Sequence, residues 1–428
     1  MLRDSGVTLA CNVAVVIVSL GTGIAVARAL GPEGRGTLAT MQLWPATLAA
    51  VAGLSLYDAL LFHGAARPAI RPRLFALSLW AALLLGGGAA ILGAALLPSL
   101  LGSSLTHRHL FIASVLMTPL WLWIDLATAL LQSCERFGRI GLVRLLGPSV
   151  IGVALLFLGA RGRLTVEGVI GASWLGLAAQ AALLAHFLAR ERAASLRADW
   201  TLVRPLAAFA LRVHGGTIAG LVGRRLDQLL LTVLATTTTV GLYAFARTLT
   251  DLLQQVSASV TLALFPKVSR AVTATEQRDV TQASARWTLI LQGAGAIVIA
   301  LGAPSFVARI WGAPFADAIP IVRVLLPAAL LVGMRATLGT ALLGVGRPLA
   351  ATAAESAGLA TALPLFALWV PRFGGIGAAL AVDAGAAMSA AVVIVWFARA
   401  FGCASLRGLT PGPRDWLVLR ALMQRAQR

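Results

Sequence analysis

Charged residues are scarce in this chain, and acidic residues are the scarcest of them. Charged side chains make up 12% of the 428 residues, with 35 Lys and Arg against 16 Asp and Glu, whereas hydrophobic residues make up 59%. A mean hydropathy of +0.87 with so few charges excludes an ordinary soluble enzyme and is typical of a polytopic membrane protein. We expect an all-α fold, because a helix satisfies its own backbone hydrogen bonds in lipid.

Cysteine, histidine and lysine are also rare. The three cysteines, Cys11, Cys134 and Cys403, lack the spacing of a disulfide framework or a zinc site. The five histidines form no constellation with cysteines and acids, so the sequence predicts no metal, no cofactor and no nucleophile, and hence no enzyme.

The basic residues are almost all arginines, since Lys267 is the one lysine. In a soluble protein a net charge of +19 would suggest nucleic acid. Here the arginines lie mostly between apolar runs, where they orient helices and meet anionic lipid head groups. The sequence therefore predicts membrane lipids as partners and excludes nucleic acid.

About twelve apolar runs have the length that crosses ~30 Å of hydrocarbon. They span residues 7–27, 38–62, 74–97, 109–131, 139–159, 168–188, 206–233, 240–265, 286–310, 319–343, 349–370 and 376–398. Most basic residues outside these runs lie in one alternate set of connections, which includes the N-terminus and the tail. The positive-inside rule therefore predicts that both termini are cytoplasmic.

The two halves of the chain resemble each other. The segment LLQSCERFGRIGLVRLLGPSVIGVALLFLGARGRLTVEGVIGASW from Leu130 matches ALLGVGRPLAATAAESAGLATALPLFALWVPRFGGIGAALAVDAG from Ala341 in its order of helix ends, glycine turns and basic turns. In the same way, LGPEGRGTLATMQLWPATLA from Leu30 corresponds to TTTTVGLYAFARTLTDLL from Thr236. Repeats with an even number of spans keep their orientation, so we expect two lobes related by an axis along the membrane normal.

The repeat predicts a six-helix lobe at residues 1–200, a second at 201–400, and a basic cytoplasmic tail at 401–428. For the tail, a basic surface helix and a disordered segment both remain open.

The stretch from Val240 to Arg270 predicts one long helix that ends at Pro266 and Lys267. Its polar residues recur at steps of three or four and share one face, which we call the polar seam: Tyr243, Arg247, Asp251, Gln254, Ser257 and Thr261. In a chain this hydrophobic, the polar seam is expected to face away from lipid.

Ionisable residues concentrate in the seventh and eighth spans, where four arginines meet two acids: Arg212, Arg224, Arg225 and Arg247 against Asp227 and Asp251. The spacings of Arg224 to Asp227 and of Arg247 to Asp251 allow ion pairs within each helix. Two arginines are left over, which favours an anion site, because a guanidinium donates to two phosphate oxygens and stays charged.

Other acids lie singly within spans. Asp58 is a candidate to face a cavity from the first half and to relay a proton. For Asp125, Glu355 and Asp383, internal ion pairing is the favoured interpretation.

Four segments resemble the polysaccharide flippases of the multidrug, oligosaccharidyl-lipid and polysaccharide exporter superfamily: ARALGPEGRGTLATMQLW from Ala27, RRLDQLLLTVLATTTTVGLYAFARTLTDLL from Arg224, SVTLALFPKVSR from Ser259 and VPRFGGIGAALAV from Val370. The resemblance implies two six-helix lobes, with helices 1, 2, 7 and 8 lining a cavity that opens alternately to each side. It implies transport of an undecaprenyl-diphosphate-linked oligosaccharide from the inner to the outer leaflet of the bacterial cytoplasmic membrane.

The resemblance also assigns residues. Cationic cavity residues hold the diphosphate in the family, and the matching positions are Arg224, Arg225 and Arg247. The other polar candidates for the cavity are Asp227, Asp251, Asp58, Gln254 and Asn12, the last being the polar residue that helix 1 offers.

Three other functions stay open. A multidrug exporter of the same superfamily, coupled to Na⁺ or H⁺, would favour unpaired acids and aromatic residues in its cavity. A membrane glycosyltransferase or polymerase would need sizeable outer loops, and these are short. A scaffold without transport would carry intramembrane charges without using them. The sequence leaves the glycan, the energy source (H⁺, Na⁺, the potential or none) and the oligomeric state undetermined.

Overall fold

The computed structural model describes residues 2–102, 107–191, 193, 195–347, 349–410 and 412. The side chains of residues 2–10, 12, 13, 216, 219, 222, 266 and 404 are outside this description, as is the tail from residue 413. The helices are α1 Leu2–Ala52, α2 Leu56–Ala66, α3 Arg71–Ala81, α4 Gly87–Leu101, α5 Arg108–Val115, α6 Thr118–Ser133, α7 Phe137–Ala160, α8 Val166–Arg190, α9 Val203–Leu234, α10 Thr237–Arg270, α11 Ala274–Trp311, α12 Ile319–Gly344 and α13 Leu349–Phe401.

The polytopic all-α fold class is confirmed. Each of the twelve predicted spans is mainly helical, but span 38–62 is broken between α1 and α2, and span 109–131 is broken between α5 and α6. Two pairs of spans are continuous in the chain: α1 bends at Gly31 (φ 66°) and α13 bends at Gly374 (φ 54°). A positive φ strains residues that have a Cβ, so glycine permits each bend. Eight described segments are long and apolar enough to cross a membrane; α9 and α10 are not among them.

The predicted end of α10 at Pro266 is wrong. The helix continues to Arg270 and carries Lys267 and Arg270 in its last turn. A proline removes one N–H from the helix ladder, and α10 continues past it for four further residues despite the lost hydrogen bond.

By their contacts, the residues form two compact units. The first comprises Met1–Gly241 with Ile310–Pro314, and the second comprises Leu242–Arg309 with Phe315–Arg428. The first unit thus includes α9, which packs against α1 and α2. This division is one of contacts, so the repeat-based lobe boundary near residue 200 stays a prediction.

The core of the first unit lies around α6. The helices α2, α3 and α8 pack around α6, and its residues Leu126, Leu130 and Leu131 are fully buried. This burial fixes the rotation of α6 about its axis, and therefore the direction in which its polar residues point.

The first turn of α10 crosses α1 within the first unit at backbone distance. A Cβ added to Gly36 would lie 1.8 Å from the carbonyl oxygen of Thr237, and one added to Gly241 would lie 1.9 Å from that of Pro32. The two contacts are reciprocal, and both depend on glycine because no side chain fits between the backbones.

The loop before α9 is held to the first unit by ion pairs. Arg136 Nε donates to Glu191 at 2.8 Å, Arg139 binds the same carboxylate, and Arg73 Nη1 lies 2.9 Å from Asp199. The Thr201 hydroxyl, followed by Arg73, holds the pKa of the Asp199 carboxyl below its usual value.

In the second unit, polar side chains connect α10, α11 and α12. Gln292 of α11 is fully buried and donates to the Leu253 carbonyl at 2.8 Å. Gln254 of α10 donates to the Ala329 carbonyl at 3.0 Å. Gly333 makes room for Gln292, whose Oε1 would be 2.0 Å from a Cβ at that position.

Candidate functional site

The candidate site of the first unit begins at a break between α1 and α2. Leu54 and Ser55 both have positive φ, at 48° and 57°. The buried Ser55 hydroxyl donates to the Thr217 hydroxyl at 2.8 Å and lies 3.2 Å from His214 Nδ1. These contacts tie the break to α9, so α2 and α9 are held together where both carry ionisable residues.

Polar residues of α2 face α6 immediately after the break. The Tyr57 hydroxyl donates to Gln132 Oε1 at 2.5 Å. Asp58 is half-buried, and no described side chain forms an ion pair with it. Tyr57 lies within electrostatic range of Asp58, Asp125 and Arg144, which places charges of three helices, α2, α6 and α7, around one phenol.

Asp125 of α6 is within electrostatic range of two arginines. It interacts electrostatically with Arg144 of α7 and Arg225 of α9. Among the residues that the structure describes, none of these three side chains forms a hydrogen bond or an ion pair within 4.0 Å. The three charges are therefore near one another without contact.

The exposure of Asp125 indicates a recess. Asp125 is exposed although it lies in a membrane-spanning helix. A carboxylate at this depth in a membrane span is unfavourable against lipid. The accessible face of Asp125 is thus best explained by a polar recess bounded by α6, α7 and α9.

Two predicted site residues are neighbours of Arg225 on α9. Arg224 is exposed, and its Nη1 lies 3.3 Å from a Cβ position at Gly220, one turn earlier in the helix. Asp227 is buried, at 7% exposure. An ion pair between Arg224 and Asp227 stays a prediction, and Arg224 is one of the charges that act on Arg225.

The remaining predicted residues are in the second unit or undescribed. Arg247 and Asp251 of α10 form the expected pair, with Nη2 3.7 Å from Oδ1, and Asp251 keeps half of its side chain exposed. Gln254 uses its amide to bind α12, as described above. The Asn12 side chain lies outside the described residues.

The polar seam of α10 does not face one environment. Tyr243 and Ser257 are buried at 1% and 3% exposure, whereas Asp251 is exposed. The polar seam can avoid lipid without lining a cavity along its whole length, because neighbouring helices bury some of its side chains.

The ion-pair prediction for single acids has mixed outcomes. Glu355 of α13 pairs with Arg335 of α12 in the second unit, as expected. For Asp383 the prediction is wrong, because its carboxylate lies at the backbone of Ala328 and its Oδ1 is buried without a partner among the described residues. Asp125 interacts with its arginines only at longer range.

The sequence count missed Arg144, Tyr57 and Gln132. It also found a basic surplus by considering the seventh and eighth spans alone. The first unit brings Asp58 of α2, Asp125 of α6 and Arg144 of α7 into the electrostatic surroundings of Tyr57. Spacing within a single span carries no signal for this grouping, which arises from how the helices are arranged.

The family model described as polysaccharide biosynthesis protein matches residues 1–272. The chain belongs to this family. The match covers the break at Ser55 and the entire recess of the first unit, so the residues described here lie in the family's own region. No curated protein sequence matches the chain.

Solved structures of transporters share the fold of this family member. It is similar to the lipid II flippase MurJ in an inward closed conformation, with a TM-score of 0.77 at 12% identity over 99% of this chain and 96% of that one. It is similar to a multidrug resistance MATE transporter of the MOP superfamily in an inward-facing conformation, with a TM-score of 0.72 at 17% identity over 90% and 94% of the chains. A MOP superfamily transporter from Pyrococcus furiosus gives 0.56 at 16% identity over 93% of both. At these identities the likeness shows the fold alone.

Proposed function

We propose that this protein flips a lipid-diphosphate-linked oligosaccharide, of the undecaprenyl-diphosphate type, from the inner to the outer leaflet of the bacterial cytoplasmic membrane. It would do so by alternating access, for the biosynthesis of surface polysaccharide. The proposal rests on the family and on one feature of the site: Arg144 and Arg225 lie at a recess within the spans and contact no acid directly among the described residues.

Arginines in this setting support binding of a phosphate group. Retaining an ionised side chain within a span costs at least ~2.5 kcal/mol on insertion scales, so such a group is expected to have a use. A guanidinium donates two parallel hydrogen bonds to phosphate oxygens, and two or three guanidiniums match a diphosphate. We assign the diphosphate to Arg225 and Arg224, with Arg247 as a further ligand on the sequence argument alone.

The direction of transport is consistent with the charge of the substrate. With cytoplasmic termini, as the distribution of arginines predicts, the diphosphate starts on the negative side of the membrane. Its outward movement then follows the potential, which contributes ~2.3 kcal/mol per charge per 100 mV if the charge crosses the full field. Transport driven by the potential therefore needs no coupling ion.

The test compares two arginines of the same helix. Arg225→Gln removes a guanidinium from the recess, and Arg204→Gln removes one from the exposed first turn of α9. In cells that lack the native gene, we expect Arg225→Gln to reduce surface polysaccharide at least ~10-fold and to leave lipid-linked oligosaccharide on the cytoplasmic face. Arg204→Gln is expected to restore export.

Normal export by Arg225→Gln at an unchanged protein level would refute the phosphate assignment. Transport of cationic dyes by the wild type, with no effect of gene deletion on polysaccharide, would instead support the multidrug exporter. The arginines of the recess favour an anion over a cationic drug.

A further inference from the structure

Contacts join the ends of several helices of the first unit into one arginine-rich surface. Arg71, the first residue of α3, donates from Nε to the Gly64 carbonyl of α2 at 2.8 Å and from Nη2 to the Ser133 carbonyl of α6 at 2.7 Å. Arg73, two residues further, binds Asp199 in the segment 191–202 between α8 and α9, which we call the linker. The ends of α2 and α6, the start of α3 and the linker therefore lie together.

Glu191 adds the start of α7 and the end of α8 to this surface. Its carboxylate binds both Arg136 and Arg139. Arg136 follows the last residue of α6 by three positions, so these ion pairs continue the surface that Arg71 begins. We call the whole surface the arginine rim, and its arginines are Arg67, Arg71, Arg73, Arg136, Arg139, Arg190 and Arg197.

Positive charge exceeds negative charge in the arginine rim. The described parts of these helix ends and of the linker contain three acids, Glu135, Glu191 and Asp199, against the seven arginines named above. Arg190 and Arg197 are exposed, and within the described part of the chain neither guanidinium forms a hydrogen bond or an ion pair. These two side chains are therefore available to an anion from outside the protein.

The exposed side of α3 shows the depth of the arginine rim in the membrane. Arg73, Trp80 and Leu84 are exposed at steps of seven and four residues in the candidate span Pro68–Leu101. Arginine, tryptophan and leucine follow the order of head groups, interface and hydrocarbon. At 1.5 Å per residue, Arg73 lies about 10 Å closer to the helix start than Trp80. The arginine rim is therefore at the level of the lipid head groups.

The linker reaches the same interfacial level. The Trp200 ring lies 6.0 Å from the Trp80 ring, and the ion pair of Asp199 holds this segment to α3. Leu196 is 81% exposed, and Arg197 beside it is exposed as well. Exposed apolar side chains next to an exposed cation are typical of a segment that lies in the membrane interface. A phospholipid fits this pattern, because its phosphate can meet the arginine while its acyl chains meet the apolar side chains.

We propose that the arginine rim is a binding site for anionic phospholipid in the leaflet that it faces, with Arg190 and Arg197 as ligands of the phosphate and with Leu196, Trp80 and Trp200 against the acyl chains. The positive charge is spread over the ends of five helices and the linker, which matches several head groups better than one diphosphate. The sequence predicts membrane lipids as partners in general, and the arginine rim gives them a defined place. This inference is independent of the flippase proposal.

The first experiment measures lipid binding to the full chain by native mass spectrometry, with phosphatidylglycerol as the anionic lipid and phosphatidylcholine as the zwitterionic one. The wild type should bind its first phosphatidylglycerol at least ~10-fold more tightly than phosphatidylcholine. The double variant Arg190→Gln, Arg197→Gln should raise the Kd for phosphatidylglycerol ~30-fold, since each arginine near an anionic surface contributes about fivefold. Its Kd for phosphatidylcholine should change by less than about twofold.

The matched control is the double variant Arg161→Gln, Arg163→Gln. Both arginines are exposed, and they follow the opposite end of α7, about 36 Å along this helix from the arginine rim. The first binding of phosphatidylglycerol should stay within about twofold of the wild type. Arg197→Lys retains the charge and should also bind nearly as the wild type does. Thermal unfolding of each variant without added phospholipid separates lost binding from lost fold.

A second experiment locates the lipid. A photoreactive benzophenone amino acid is placed at Leu196 or, as a control, at Leu156 near the far end of α7, which is 71% exposed. In nanodiscs with equal amounts of the two lipids, position 196 should crosslink phosphatidylglycerol in clear excess, whereas position 156 should report the bulk ratio. An equal ratio at both positions would refute the placement of the site.

Three further results would overturn the proposal. They are equal affinity of the wild type for the two lipids, an unchanged Kd in the folded Arg190→Gln, Arg197→Gln variant, and release of bound phosphatidylglycerol by an equimolar amount of farnesyl diphosphate. The last result would show that the arginine rim receives a polyprenyl diphosphate instead. None of them bears on Arg225, whose export test decides the flippase proposal separately.

Discussion

Replacing Gly36 by alanine tests the crossing of α1 and α10. The new Cβ would lie 1.8 Å from the Thr237 carbonyl oxygen and 2.8 Å from the Gly241 nitrogen. Carbon and oxygen in contact are separated by about 3.4 Å, so the two segments must move apart by about 1.5 Å. Both neighbours are backbone atoms, which cannot turn aside as a side chain would.

The cost follows from overpacking. An added methyl in a closely packed region costs ~1–3 kcal/mol when side chains can adjust, and rigid backbone neighbours place this case at the upper end. We therefore expect Gly36→Ala to lose ~3 kcal/mol of stability or to separate the crossing and impair transport. Gly241→Ala meets the Pro32 carbonyl at 1.9 Å and should behave in the same way. The double variant should cost less than the sum, because one separation relieves both clashes.

Gly21 and Gly23 provide matched controls on α1. A Cβ at either position has no heavy atom within 4 Å. Alanine there should leave thermal stability unchanged or raise it by up to ~1 kcal/mol, because glycine is the weaker helix former. The assay is thermal unfolding of the purified chain in one detergent, together with export in cells. If Gly36→Ala is as stable and as active as Gly21→Ala, the backbone contact described here does not form in the membrane.

Two further predictions concern the second unit. Gln292→Met should raise the melting temperature. The hydrogen bond to Leu253 that is lost is worth ~0.6 kcal/mol in membrane proteins, whereas the buried Oε1, which has no partner among the described residues, costs ~1–3 kcal/mol. A clear fall in melting temperature would show that Oε1 has a partner. Glu355→Gln should destabilise the fold by ~2 kcal/mol or more, because it leaves the charge of Arg335 uncompensated. Adding Arg335→Gln should recover most of this loss. Equal stability of the single and double variants would contradict the prediction.

Much of the fold could be predicted because apolar periodicity and span length are local properties. The runs 349–370 and 376–398 became the two arms of α13, and the glycines between them became its bend at Gly374. The error at Pro266 has a local cause as well, since a proline pattern does not show whether a helix end needs the missing N–H. The division of the chain by contacts was not accessible in this way, because it depends on α9 packing against α1 and α2.

The candidate site was predicted in part for the same reason. Arg224, Arg225 and the pair of Arg247 with Asp251 are visible from spacing within one helix. Asp125 and Arg144 are on separate helices, and each is a single charge in an apolar run. Only the arrangement of the helices shows that Asp125 is within electrostatic range of Arg144 and Arg225, so spacing could not distinguish these residues from other isolated charges.

The crossing of α1 and α10 joins the repeat in the sequence to the packing in the structure. The same shift in residue number takes Gly36 to Gly241 and Pro32 to Thr237. Gly36 lies against the Thr237 carbonyl, and Gly241 lies against the Pro32 carbonyl. Contacts that exchange in this way are what a two-fold axis produces at an isologous interface. The segments that correspond in the two halves, from Leu30 and from Thr236, are therefore also the segments that meet. Because glycines make the contact, no side chains have to be ordered when it forms or released when it parts. If the proposed alternating access is correct, a crossing of this kind would close and open at little entropic cost.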